Sequence, residues 1–138
     1  MIKIKLLPTT DQKAFDMAYK GVMKQGKCSV NSYTGCVYYS GPGVACAIGH
    51  LATEEDRKRL NIFSEKSSLG LGALGLHRSG VIDIGGLSLN LLIELQHAHD
   101  RYNKMDGSEF KASYHKAMTS LSQDWDLKMP KLEDVYND

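Results

Sequence analysis

Cys28, Cys36, Cys46 and His50 are side chains of the kind that bind zinc, and they fall in one part of the chain. Structural zinc sites draw their ligands from close pairs, typically two to four residues apart. Here seven, nine and three residues intervene, so no metal ligand is assigned and no cofactor is expected. The same residues suggest a second chemistry, Cys36 or Cys46 as nucleophile with His50, His77 or His99 as base. A cysteine attacks as its thiolate, which needs a partly exposed setting that favours the charge. Cys46 stands instead in the run V-A-C-A-I, and a free cysteine buried in such a run is a small, inert hydrophobe. The expectation is that Cys36 and Cys46 oppose one another in a hairpin, and no catalytic residue is assigned.

A different chemistry, anion binding, is suggested by residues 69–86, L-G-L-G-A-L-G-L-H-R-S-G-V-I-D-I-G-G, where six of eighteen positions are glycine. Followed by a helix, such a loop can present backbone N–H groups to phosphate. Gly70, Gly72 and Gly75 satisfy G-x-G-x-x-G formally, but no strand precedes them and the motif alone is weak. His77, Arg78 and Ser79 are the only polar side chains between Leu69 and Ile82. Polar groups amid apolar ones are how ligand pockets look, and arginine offers phosphate a planar fork. Arg57 and Arg59 could lend charge. The competing reading is an apolar packing loop. Gln96, His99 and Asp100 form a second-rank set, because a histidine on an apolar helix stripe is more often a core side chain held by one hydrogen bond.

These groups must be positioned by a handful of elements. Residues 2–7 read as a short strand closed by Pro8. Thr9 or Thr10 can cap a helix over 11–25, with Phe15, Ala18, Tyr19 and Val22 on one stripe and Gly26 as its stop. The runs 36–39 and 44–48 flank Ser40-Gly41-Pro42-Gly43 and suit a hairpin whose second strand is a buried seam. Thr53 opens a short helix through a T-E-E-D capping box, with Glu54–Lys58 and Glu55–Arg59 as i, i+4 pairs. Residues 69–86 read as an apolar loop, a short helical turn, or both. Ser88 can cap a helix to about 103, and Ser108 another to about 123, with Phe110, Tyr114, Ala117, Met118 and Leu121 at helical spacing. The last eight residues read as a tail.

The chain of 138 residues suits one domain, large enough to bury about two thirds of its unfolded surface. Seventeen basic against sixteen acidic side chains leave a net charge of +1, which makes no global case for nucleic acid or membrane. No run approaches the roughly 18 apolar residues of a membrane span, and M-I-K-I-K-L-L-P has too short an apolar core for a signal peptide. An odd number of cysteines fits a reducing compartment. The leucines of 69–95 exceed what three modest helices would cover, which points to a homo-oligomer.

Three groups of residues carry a resemblance. They are Ser29-Val30-Asn31 after Gly26; C-x-Y-x-x-G-P-x-x-x-C-A-x-G-x-L over 36–51; and L-Q-x-x-H-D over 95–100, with W-D-L-K-M-P following at 125–130. With these the chain resembles a family of small proteins of tailed bacteriophages and prophages. The resemblance covers most of the chain, with 60–86 its least familiar part. It implies a phage accessory protein in the host cytoplasm that binds and neutralises a host component. That component is a defence protein or a small anionic ligand of nucleotide type. A cysteine- or histidine-dependent hydrolase is the alternative. The expected fold is α+β, mainly α: three principal helices around one small β-hairpin, a single domain over 1–138 with a tail from about 131. The expected ligand-binding residues are His77, Arg78, Ser79, Arg57, Arg59, Gln96, His99 and Asp100.

Overall fold

The computed structural model describes residues 3–31, 35–66 and 72–136. Helix α1 (Asp11–Gln25) starts where Thr10, in extended backbone, accepts the Lys13 N–H at 3.2 Å. It stops where Gly26 takes φ 68° and returns its N–H to the Val22 carbonyl. That left-handed φ is open to glycine without the Cβ clash other residues suffer. Both ends lie where the sequence puts them. The predicted stripe is fully buried, and its rings form a ladder with α5 (Gly107–Asp124): Phe15 on Tyr19 at 6.4 Å, Tyr19 on Tyr114 at 6.2 Å, Tyr114 on Phe110 at 5.7 Å.

The strands are very short. β1 (Ile4–Lys5) pairs in parallel with β6 (Ile82–Asp83), placing Ile4 beside Ile82, both buried. β2 (Val30–Asn31) and β3 (Gly35–Cys36) form one antiparallel pair; β4 (Tyr39–Gly41) and β5 (Val44–Ala45) form another. A bend at Tyr38 therefore splits the expected first strand between two hairpins. Cys36 lies opposite Val30, while the Cys46 N–H bonds the Tyr38 carbonyl at 3.4 Å, so the two cysteines do not oppose one another. The chain leaves β5 for a 3-10 turn (Gly49–Leu51) because Gly49 packs directly on the Tyr38 carbonyl, where a Cβ would strike it. Ala45, Cys46, Ala47 and Ile48 are nevertheless fully buried, as a seam should be.

Helix α2 (Glu54–Lys66) runs longer than expected. Thr53 accepts the Asp56 N–H at 3.2 Å, and Arg59 pairs with Glu55, but Glu54 takes the Tyr39 hydroxyl at 3.0 Å while Lys58 lies over the Tyr39 ring. Residues 73–78 form the short helix α3 (Ala73–Arg78); Gly70 and Leu71 lie outside the described residues. Helix α4 (Leu89–Asp100) begins after Ser88, which does not cap it. Its Oγ and N–H both donate to the Asp11 carboxylate, at 2.7 and 2.9 Å, and the hydroxyl held there accepts no first-turn N–H of α4. The start of α4 is thereby tied to the start of α1. Helix α5 begins ahead of Ser108, with Asp106 at the N-cap position, because the Gly107 N–H is drawn to the Gly26 carbonyl at 3.0 Å.

The segment expected to be a tail contains helix α6 (Leu132–Tyr136). Val135, wholly buried, anchors it on α1, and the Lys111 ammonium lies over the Tyr136 ring. One buried apolar residue in five gives too faint a pattern to read as a helix from sequence. The architecture is α+β, mainly α: α4, α5, α6 and the 3-10 turn pack around α1, with α3 against α4 and β6. No helix among the described residues is long and apolar enough to cross a membrane. Of the described leucines in 69–95, Leu76, Leu87, Leu91, Leu92 and Leu95 are buried within the chain, and Leu74 is 38% exposed.

Candidate functional site

Strands of two or three residues hold few ladder bonds, and side-chain amides supply the rest. Gln25 grips β5 edge-on: the Ala45 N–H donates to its Oε1 at 3.0 Å, and its Nε2 donates to the Ala45 carbonyl at 2.7 Å. Asn61 of α2 grips β4 in the same way, accepting from the Tyr38 and Tyr39 N–H groups at 2.8 and 3.2 Å and donating to the Tyr39 carbonyl at 2.6 Å. Gln12 does it a third time, on the backbone of Lys128, at 2.9 Å in each direction. Each amide acts as one residue of an extra strand.

The conserving logic extends to the histidines. Gln25 Oε1, an acceptor, meets His50 Nε2 at 2.8 Å, so His50 carries its proton on Nε2 and donates. Burial, reinforced by the charge of Arg57, lowers the His50 pKa to about 3 and keeps the ring neutral. His50 fits because Gly21 faces it; any Cβ there would strike the imidazole. The ring of His99 is oriented just as tightly. Its Nε2 accepts the Ser29 N–H at 3.1 Å, which leaves the proton on Nδ1, donated to Asp100 Oδ1 at 2.7 Å. Gln96 Nε2 donates to the same oxygen at 2.8 Å, and Gln96 Oε1 accepts the Ile48 N–H at 3.2 Å.

The structure thus brings Gln96, His99 and Asp100 together beside the seam, but with both ring nitrogens of His99 committed. A general base needs a free lone pair within reach of its proton, and Ser29 occupies that of His99 Nε2. Cys46 is fully buried, and desolvation pushes its thiol up to about 12 even though the Gly49 N–H points at the sulfur at 3.3 Å. Cys28 is buried with its thiol donated to the His99 carbonyl at 2.8 Å. Cys36 lies outside the residues whose side chains are described. Among the described residues, no three histidine, cysteine or carboxylate side chains cluster as metal ligands do.

The remaining expected site residues lie elsewhere. Arg57 Nε donates to the Gly49 carbonyl at 2.7 Å, capping the 3-10 turn, and Arg59 bridges Glu55 and Asp56 at 3.5 and 3.2 Å. His77 and Arg78 are exposed at the end of α3, and Ser79 Oγ donates to the Leu76 carbonyl at 3.2 Å. Arg57 and Arg59 are spent on α2 and its neighbours.

A concavity of about 460 Å³ opens between α4 and α5, out of line with any expected site. Ala98, Ala117 and Leu121 form its apolar floor, and Tyr102 and Ser120 contribute hydroxyls. His97, Arg101 and Lys116 line it with no side-chain partner among the described residues. Glu94 and Asp124 also line it, and Glu94 accepts from the Trp125 indole. The Trp125–Glu94 bond sets the end of α5 beside the first half of α4, while the 101–106 connection sets the end of α4 beside the start of α5, so the helices run antiparallel. Arg101 and Lys116 therefore sit toward one end of the groove, Glu94 and Asp124 toward the other, with His97 and Ser120 between. Its length follows from the rise of α4, about 10 Å over the seven residues from Glu94 to Arg101.

Sequence reading missed these residues because it looked for motifs rather than faces. The available signal is that Glu94, His97 and Arg101 recur at helical spacing on the polar face of α4, as do Lys116, Ser120 and Asp124 on α5. Asn61, a poor helix former inside a charged helix, was a second signal. Comparison with protein-family models, with curated proteins and with solved structures gives no match to this chain.

Proposed function

We propose that this protein is a non-catalytic accessory protein of the phage type its motifs resemble, one that binds a host component in the host cytoplasm and withholds it. Of the two components the resemblance implies, a small anionic ligand of nucleotide type suits a half-enclosed groove better than a defence protein does. Small-molecule sites are concavities of about 300–1,000 Å³ with an apolar floor and a few convergent polar groups. The observation that carries this reading is the α4/α5 groove, where His97, Arg101 and Lys116 stand unspent over an apolar floor. An uncommitted arginine and lysine beside an apolar surface are how a site holds phosphate and a ring together.

The hydrolase alternative requires an accessible thiolate and a free imidazole lone pair. The described thiols, Cys28 and Cys46, are sealed in the core, so the imidazoles that keep a free lone pair, His77 and His97 among them, have no exposed described thiol to activate. Incubation of the purified protein with a panel of mononucleotides and cyclic nucleotides, followed by denaturation and mass spectrometry of the supernatant, distinguishes the two. Intact nucleotide released in stoichiometric amount supports sequestration. Catalytic conversion to nucleoside or to a linear product would replace sequestration with turnover.

A further inference from the structure

We infer that the groove reads a guanine-type base, holding its Watson–Crick edge at the Glu94/Asp124 end and the phosphate at the Arg101/Lys116 end. The inference rests on the proposed nucleotide binding and adds the orientation and identity of the base. Its basis is the polarity of the groove. Carboxylates accept hydrogen bonds and offer none, so the acidic end selects a ring edge made of donors. Guanine presents N1–H and an exocyclic amino group side by side, two donors for one carboxylate. Adenine presents one donor next to the N1 lone pair, which a carboxylate repels. The Trp125 indole N–H holds one oxygen of Glu94, fixing the carboxylate's orientation while leaving acceptor sites on both oxygens.

At the other end, Arg101 supplies a planar fork and Lys116 a point charge, both without a side-chain partner among the described residues. The negative end of the α4 dipole lies there, but the first half of α5 comes up beside it, and the two helix dipoles oppose one another. The separation of the two ends along α4, about 10 Å, is the span from a purine edge to the 5′-phosphate of one nucleotide. A second copy of this chain is a poorer occupant, because two concave faces leave a void between them.

The test is titration calorimetry of the full chain with GMP, AMP and inorganic phosphate, on the wild type and on Glu94→Gln, Asp124→Asn and Arg101→Ala. The expected result is GMP binding at least about tenfold tighter than AMP, well within the preference that a site built to pair a donor can reach. Glu94→Gln or Asp124→Asn should shrink that preference without weakening phosphate binding, since either change removes a negative charge from the groove. Arg101→Ala should weaken GMP and phosphate together. Equal affinity for GMP and AMP, both lost in Arg101→Ala, would overturn the base assignment and leave the groove as a nucleotide site. If neither nucleotide binds, or if binding survives Arg101→Ala, the groove itself is not the site. If Arg101→Ala instead abolishes a concentration-dependent self-association, the groove is an interface between copies, and the inference falls.

Discussion

The seam and the groove are built from the same kinds of residue and use them in opposite ways. Along the seam, Gln25, Asn61, Gln96, His50, His99 and Asp100 are hydrogen-bonded to backbone or to one another. In the groove, His97, Arg101 and Lys116 have no side-chain partner among the described residues. His97 and His99 make the contrast on a single helix: two residues apart, they fall on opposite faces of α4, one exposed and one fully buried. The lesson is that a chemically suggestive residue is informative about function only after its partners have been counted. An amide or imidazole whose donors and acceptors are all matched is holding backbone, here along strands of two or three residues.

The largest effect should come from breaking a clamp. Gln25→Leu leaves the Ala45 N–H and carbonyl and the His50 N–H without their partner, and buried polar groups left unpaired cost about 1–3 kcal/mol each. A loss of about 3–5 kcal/mol is expected, read as a fall in denaturation midpoint. A change below about 1 kcal/mol would mean that water replaces the amide.

Next in size is the pH dependence set by His50. Folding lowers its pKa from 6.5 to about 3, so as pH falls the unfolded chain takes up a proton that the folded one refuses. Stability from this group is complete above about pH 6.5 and is lost as pH falls toward 3, with a slope of at most about 1.4 kcal/mol per pH unit. Urea melts between pH 7 and 5 should show that loss in the wild type and a flatter profile in His50→Gln.

Smaller again is Cys46→Ser, expected to cost about 1–3 kcal/mol because a hydroxyl is harder to desolvate than a thiol. In the native protein Cys46 should resist alkylation at pH 8 and react only on unfolding. Rapid native labelling of Cys46 would show an accessible thiolate and revive the hydrolase reading. Smallest in stability are the exposed arginines: Arg101→Ala and Arg78→Ala should each shift the melting free energy by less than about 0.5 kcal/mol. Their difference should appear in binding, with nucleotide affinity lost in Arg101→Ala and kept in Arg78→Ala. The reverse outcome would return the site to the end of α3, where the sequence first suggested it.

Helix α1 was legible to the residue because a hydroxyl cap, an apolar stripe and a glycine stop all agree on its limits. The seam was legible as buried from its small and branched side chains alone. The split of the preceding run, 36–39, between two hairpins was not, since the backbone of Tyr38 and Tyr39 is held by Asn61, a residue distant in sequence whose amide carries no local signature. The parallel pairing of Ile4 with Ile82 was hidden for the same reason: two residues per strand give no period to read. The tail became a helix by packing on α1, with Val135 buried and the Lys111 ammonium over the Tyr136 ring. At the site, the local motif at 95–100 led to His99 and Asp100, whereas the groove arises only when faces of α4 and α5 are set side by side.

The account turns on which of these two regions meets ligand, and backbone amide shifts of the labelled protein report that directly. Titration with GMP, followed by ¹⁵N–¹H correlation spectra, should perturb His97, Ala98, Arg101, Lys116 and Ser120 and leave Ala45, Ile48 and Gly49 unmoved. Perturbations centred on Ile48, Gly49 and His99, or on His77 to Ser79, would contradict it.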